Sequence, residues 1–193
     1  MDARQRALRL EIPEVIETER MILRAAKSGD GPACFEAVLE SVKELEPWMP
    51  WVHPEPKLEG SVDFHAQAQA KWYSREILDF QWIDKATDRL VGKGGFHTID
   101  WSVPKLEIGY WVRTSMAGKG YCSEAVSALI EFAKRELGAQ RLEICSDPRN
   151  EKSRNVAEKC GFTLEGILRR NMRDPYGGIR DSCMYALTLP EPA

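Results

Sequence analysis

Leu106-Glu107-Ile108-Gly109-Tyr110-Trp111-Val112 runs into Gly118-Lys119-Gly120-Tyr121 and then into an amphipathic segment opening near Ser123. The first stretch reads as an apolar strand. The last carries Val126, Leu129, Ile130, Ala133 and Leu137 at helical spacing, with Gly138 placed to close it. Glycines let the main chain come close to a ligand, and the unpaired N–H groups of a first helical turn present the positive end of the helix dipole. The junction is therefore a place to hold a pyrophosphate. Glycines that merely close a strand-to-helix turn look the same. A Walker-type loop needs Ser or Thr directly after Gly-Lys, and here Lys119 is followed by Gly120-Tyr121; a dinucleotide fingerprint needs a third glycine where Ser123 stands. Both commoner phosphate loops are disfavoured.

About thirty residues downstream, Asn150 to Phe162 reads N-x-x-S-x-x-V-x-E-K-x-G-F. Together with the G-K-G-Y loop this resembles the GNAT superfamily of acyl-CoA-dependent N-acetyltransferases. More narrowly it is similar to the RimJ/RimL-type branch, whose best-known members acetylate N-terminal amines of ribosomal proteins. Ile16 to Arg24 resembles that branch's opening strand and Gly178 to Leu187 its closing strand. One position departs from the superfamily's usual Gln/Arg-x-x-Gly-x-Gly/Ala loop: Ser115 stands three residues before Gly118. Arg113 or Lys119 is then the expected source of positive charge.

At 193 residues the chain accommodates one domain with a sizeable core, and a second would be cramped. We expect a loose segment over residues 1–15 and a single N-acetyltransferase domain over 16–189. A hydrophobic fraction of 43% with 30% charged residues is ordinary for a globular protein. The formal net charge of −3 argues against an electrostatically driven nucleic-acid partner. No apolar stretch is long enough to span a bilayer, and no signal-peptide core follows Met1 to Arg6, so no membrane association and a cytoplasmic location are expected. The five cysteines never adopt C-x-x-C spacing, and His53, His65 and His97 are scattered. No metal site is expected.

Asp30 is placed to cap a helix whose second residue is Pro32, with Phe35, Val38, Leu39, Val42 and Leu45 as its buried face. Pro47 ends it. Between Glu46 and Pro54, three prolines forbid regular structure around Trp48 and Trp51, so this segment either packs on the body or lines an acceptor pocket. A helix over Ser61–Ser74 follows, then closely spaced strands near 79–84, 89–99 and 105–112, which short connections make antiparallel. After the helix from Ser123, a strand at 141–145, a helix to Lys159 and strands at 162–172 and 179–187 complete the chain. The order predicts an α/β (α+β) fold. With the resemblance, the expectation is a GNAT-like mixed, mostly antiparallel twisted sheet of about seven strands covered by about four helices.

The resemblance implies that pantetheine lies beside the strand ending at Val112, its amides pairing with backbone groups of Trp111, Val112 and Arg113 in the manner of an added strand. Gly118, Lys119, Gly120, Tyr121 and Ser123 would cradle the pyrophosphate, and Val112 N–H would face the thioester oxygen. Ser153 is implied as the hydroxyl that donates to the departing thiolate, with Asn150 beside pantetheine; both also suit a helix first turn. Glu107 is the best carboxylate for a general base, on the strand face of Gly109 and Trp111, unless it is an exposed glutamate with no task. Glu165, Tyr176 and Tyr185 are weaker bases, and bulk water is another. Trp48, Trp51 and Tyr176 are the candidate acceptor-side residues. The implied donor is acetyl-CoA and the acceptor a primary amine, on a protein N-terminus or a small molecule, with a homodimer as one open assembly. Another acyl-CoA such as succinyl-CoA, or a non-catalytic CoA-binding module, is the alternative.

Overall fold

The computed structural model describes residues 2–190. Eight strands form one sheet: β1 (Val15–Glu17), β2 (Met21–Ala25), β3 (Leu78–Asp84), β4 (Leu90–Asp100), β5 (Lys105–Val112), β6 (Arg141–Ser146), β7 (Thr163–Arg173) and β8 (Ile179–Thr188). Their order is β1-β2-β3-β4-β5-β6-β8-β7. Every neighbouring pair is antiparallel except β5 and β6, which the crossover through residues 121–136 joins in parallel. The helices are α1 (Ala3–Ala7), α2 (Gly31–Leu45), α3 (Leu58–Tyr73), α4 (Tyr121–Glu136) and α5 (Glu151–Lys159).

The extra strand and helix over the expected count both come from the amino-terminal end. Residues 2–15, expected to lie loosely, include α1, and Ala7 and Ile12 are buried. The Arg75 guanidinium holds this segment by donating to the carbonyl oxygens of Leu10 (2.7 Å) and Ala7 (3.4 Å). Val15–Glu17 then folds back on β2 as a hairpin. No hydrophobic period marks residues 3–12, since their packing depends on a distant arginine.

Alternation along the strands divides the sheet into two faces. Leu106 and Ile108 of β5, Val91 of β4 and Phe80 of β3 join Val126, Leu129 and Ala133 of α4 in the main core. Within it Phe80 meets Phe132 edge-on with ring centroids 5.4 Å apart, and Phe132 stacks on Phe96 at 6.5 Å. On the other face Cys34, Val38 and Leu45 of α2 pack with Val52, Leu90 and Trp111. Leu39, expected on the buried face of α2, is exposed, because that helix covers the sheet with a narrower stripe. Asp30 does not cap α2 through its side chain. Its carboxylate instead takes two hydrogen bonds from Arg24, at 2.8 and 2.6 Å, and one from Lys27 N–H at 2.7 Å.

Two irregularities of the sheet shape its binding surfaces. β5 and β6 pair only over Lys105↔Arg141, Leu106↔Leu142 and Glu107↔Glu143, and then part. On β4, Phe96 opposes Ile108 and Thr98 opposes Glu107, so His97 is the additional residue of a β-bulge.

The core ladder is directly testable. Phe80 is fully buried, so Phe80→Ala should lower unfolding free energy by about 3–5 kcal/mol in urea denaturation, the range for truncating a buried aromatic. A loss below about 1 kcal/mol would show that the ring does not hold β3 to α4.

Candidate active site

Where β5 and β6 part, a cavity of about 930 Å³ opens against the glycine loop and the start of α5. A second, of about 680 Å³, lies on the face of β5 toward α2 and α3. Both are lined by Met49, Tyr110 and Trp111, so the two spaces meet at one point of one strand.

The larger cavity is built by the glycine loop. Gly118 (φ +74°) and Gly120 (φ +82°) are left-handed, a conformation costly for other residues, and Gly120 is the N-cap of α4. The N–H groups of the first turn of α4 are thereby turned toward the cavity wall formed by Gly118, Gly120, Tyr121, Cys122 and Ser123. Across the cavity stand Lys152, Asn155, Val156 and Lys159, one face of α5, together with Arg149 and Lys43. Helix N-terminal amides facing several cations make a fit for phosphate groups. The helical spacing 152-155/156-159 was a readable signal for those α5 residues, whereas Lys43 and Arg149 are brought in only by folding.

The loop is held by a clamp reaching from the far end of the chain. Glu124, in the first turn of α4, accepts hydrogen bonds from Thr18 Oγ1 (2.6 Å), Arg20 N–H (2.9 Å) and Arg20 Nε (2.6 Å). Arg20 Nη1 donates to Lys119 O at 2.9 Å, and its guanidinium lies 4.2 Å from the Tyr121 ring centroid. Tyr121 in turn donates to Asp84 Oδ1 at 2.9 Å. The Lys119 side chain is exposed and does not line the cavity; its carbonyl is what the loop uses.

Arg113 is not the cation for the phosphates. Its side chain is buried, bonded to Glu36, and 2.8 Å from Glu40 through Nε, tying β5 to α2. Ser115 is likewise turned to α2, its N–H donating to Glu40 at 2.9 Å. Nor do three consecutive backbone positions face the gap. Arg113 N–H donates to Val91 O at 2.8 Å, so by alternation Val112 points to the open side, with Tyr110, while Trp111 pairs toward β4.

Asn150 caps α5, its side-chain oxygen accepting from Ser153 N–H at 3.1 Å, and both residues also line the larger cavity. Tyr110, absent from the candidates read in the sequence, donates its hydroxyl to Ser153 O at 3.0 Å and lies 3.2 Å from Ser153 Oγ. Burial pushes the Tyr110 phenol well up, so it keeps its proton. Two hydroxyls thus sit side by side next to the junction of the cavities.

Of the acceptor-side residues, Trp51 lines the smaller cavity, its ring centroid 6.2 Å from that of Trp111. Trp48 lines the larger one, and Arg149 stands 6.0 Å over its ring. Tyr176 is exposed, packs against His53 at 5.0 Å and lines neither. Glu107 also lines neither cavity, since it sits where β5 and β6 are still paired. Glu165 is bound by both Arg141 Nη atoms, at 3.0 and 2.6 Å, and Tyr185 is fully buried beside Glu158 and Arg154. The remaining polar groups of the smaller cavity are Glu55, Lys57, Glu59, Ser61, His65, Lys93 and His97. Among the described residues no cluster of His, Cys, Asp and Glu side chains could hold a metal ion, and no helix is long and apolar enough to cross a membrane.

The arrangement of a parted β5/β6 pair, a glycine loop opening a helix, and Asn and Ser at the start of the next helix defines an acetyltransferase. The family model for the acetyltransferase (GNAT) domain matches residues 20–163, and the chain belongs to that family. It is 35% identical over 188 residues to an uncharacterized N-acetyltransferase, p20, of Bacillus licheniformis, covering 92% of this chain and 98% of that one. It is 26% identical to the [ribosomal protein uS5]-alanine N-acetyltransferase of Escherichia coli, covering 95% of each. The structure of RimL, a ribosomal L7/L12 alpha-N-protein acetyltransferase in complex with coenzyme A, superposes with a TM-score of 0.85 at 24% identity, covering 91% of this chain and 98% of RimL. The mixed, mostly antiparallel fold is the GNAT fold.

Glu124 tests the clamp. Burial pushes its carboxyl pKa up, but hydrogen bonds from Thr18 and Arg20, with the Arg20 charge, outweigh burial and leave it below the ordinary value. A carboxyl lowered on folding stabilises the protein above its unfolded pKa, about 4.3, and loses that contribution as pH falls through the lower folded value. Glu124→Gln should therefore cost about 1–3 kcal/mol near pH 7, with the gap to wild type closing below about pH 4 in denaturation curves. A pH-independent gap would mean the carboxylate charge is not what the clamp uses.

Proposed function

We propose that this chain moves an acetyl group from acetyl-CoA to a primary amine by direct attack on the thioester, with a protein N-terminal α-amine as the favoured acceptor. The meeting of two cavities at Tyr110 and Trp111 carries this reading. One space has the amides and cations for a pyrophosphate, the other is aromatic-walled, and a donor in the first and an amine in the second would react at their junction. Bringing the two together can supply on the order of 7–11 kcal/mol relative to free encounter. RimL, bound to coenzyme A, and the uS5-alanine enzyme support the donor and the α-amine class.

In this reading Val112 N–H, on the open side of β5, receives the oxyanion that forms on attack. The Ser153 hydroxyl, with Tyr110 beside it, donates to the sulfur as the C–S bond breaks. Gly118, Gly120 and Tyr121 to Ser123 hold the pyrophosphate, with Lys152, Lys159 or Arg149 adding the charge that Arg113 cannot. Trp51 and Trp111 wall the acceptor. A cytoplasmic location fits the five free cysteines, and a single catalytic domain over 16–189 is part of the proposal.

Acetyl-CoA should raise the melting temperature by mass action, and NAD or ATP much less. Free thiol should appear when acetyl-CoA is mixed with peptides bearing N-terminal Ala or Ser. Thermal stabilisation without thiol release from any amine would make the chain a non-catalytic CoA-binding module. Equal stabilisation by all three nucleotides would remove the pantetheine reading.

Ser153→Ala should lower kcat by about 100-fold at every pH, the order expected for losing one hydrogen bond to developing charge. It should leave the KM for acetyl-CoA near that of the wild type. Unchanged kcat would reduce Ser153 to a helix first-turn residue.

A further inference from the structure

The bulge on β4 places a side chain that lies outside both sequence motifs. His97 is the additional residue between Phe96 and Thr98, and such bulges re-aim the side chain they carry. Its ring lies against the backbone of Gly109 on the neighbouring strand: a Cβ at Gly109 would stand 2.8 Å from His97 Cδ2. Only a residue without a side chain leaves room for the imidazole there. His97 lines the smaller cavity together with Gly109, Tyr110 and Trp111, so it flanks the stretch of β5 where the two cavities join. About a third of its side chain is open to solvent, at 35%.

Behind it the sheet carries a buried polar group. Asp79 of β3 is 3% exposed, Lys93 Nζ lies 2.8 Å from its Oδ2, and His97 Nε2 lies 3.9 Å from its Oδ1. That second separation is an ion-pair distance, beyond a hydrogen bond. The Lys93 ammonium also sits 3.6 Å from the Phe64 ring centroid.

We propose that His97 is the proton acceptor for the attacking amine, with the Asp79 carboxylate 3.9 Å away on its inner side. The proposal rests on the acetyltransferase function proposed for the chain and names a residue for a step that Glu107, outside both cavities, is less well placed to perform. The bound ammonium gives one proton to the imidazole. The freed lone pair forms the N–C bond while the carbonyl electrons move to oxygen, and collapse of the tetrahedral intermediate expels sulfur with the C–S electron pair. Of the ammonium's three protons, one stays on the amide nitrogen, one ends on the thiol and one reaches solvent through His97.

The other titratable groups around the cavity do not take this role. His65 of α3 is buried, with Nδ1 2.7 Å from Ser61 O and Nε2 3.0 Å from Gln81 Nε2; burial lowers its pKa and keeps it neutral. Burial pushes the Cys34 thiol of α2 up to about 11. Lys93 is paired with Asp79, and Glu55, Lys57 and Glu59 belong to the loop and helix start across the cavity from β5. Glu107 lies two residues before Gly109 on β5. Imidazole is also the side chain suited to changing charge near neutral pH.

The test compares His97→Gln with Glu107→Gln in the full chain, using acetyl-CoA and the best peptide acceptor. We expect His97→Gln to lower kcat by at least about 100-fold and to flatten the acidic limb of its pH profile, the loss typical of a missing general base. The KM for acetyl-CoA and the thermal shift it produces should stay near the wild-type values. Glu107→Gln should keep kcat within about threefold, and added imidazole should restore part of the activity of His97→Ala. If His97→Gln retains wild-type kcat and pH profile, or Glu107→Gln shows the loss instead, the assignment is overturned while the acetyltransferase reading stands. A wild type that binds acetyl-CoA yet releases no thiol with any amine overturns both. Should His97→Gln lose its native circular dichroism, His97→Asn serves in its place, with the same outcomes.

Discussion

β5 and β6 run parallel and share hydrogen bonds over three residue pairs, from Lys105 to Glu107, before they diverge. In a continuous sheet the backbone groups of Tyr110 and Val112 would be spent on a neighbouring strand. Here they face a gap, and main-chain donors and acceptors left unpaired beside a cavity are available to a ligand that can act as a strand. β6 remains fully paired with β8 on its other side, so the opening does not dissolve the sheet. The gap also lets one strand be reached from two sides, and Met49, Tyr110 and Trp111 can therefore border both cavities.

An opened sheet must be held open, and the structure does this with charged ties between elements distant in sequence. Arg20 and Glu124 join the β1–β2 turn to the glycine loop. Arg113 joins the end of β5 to Glu36 and Glu40 on α2. Charge-assisted hydrogen bonds are directional as well as strong. They locate the loop and the strand end more narrowly than apolar packing would. Arg113 occupies a position from which a phosphate contact was expected, yet its work is structural.

The two hydroxyls of Tyr110 and Ser153 on one side of the junction and the imidazole of His97 on the other give the site a polarity. Transfer of an acyl group from sulfur to nitrogen needs a proton delivered to one atom and removed from another. A strand with alternate residues on opposite faces keeps these groups apart: Tyr110 turns toward the α4 and α5 side, and Gly109, where His97 rests, toward the α2 and α3 side. The smaller cavity has aromatic walls from Trp51, Phe64 and Trp111.

Much of this was legible from residue order. The apolar run of β5, the glycines at 118 and 120, the periodic face of α4 and the N-x-x-S opening of α5 depend on local conformation, and local conformation is written in neighbouring residues. They sufficed for the GNAT class, for the cavity at the loop and for Asn150 and Ser153 in its wall. The sequence did not show that α1 is packed down by Arg75, that Arg113 is claimed by α2, or that Lys43 and Arg149 reach the loop cavity. Nor did it separate Trp48 from Trp51, which stand three residues apart and line different cavities, or mark His97 as an additional residue in its ladder. Each of those outcomes depends on pairing and packing between segments far apart in the chain, and a one-residue change of register or a single long-range ion pair decides it. What a stretch of this chain becomes was set locally; what its side chains face was set by the tertiary fold.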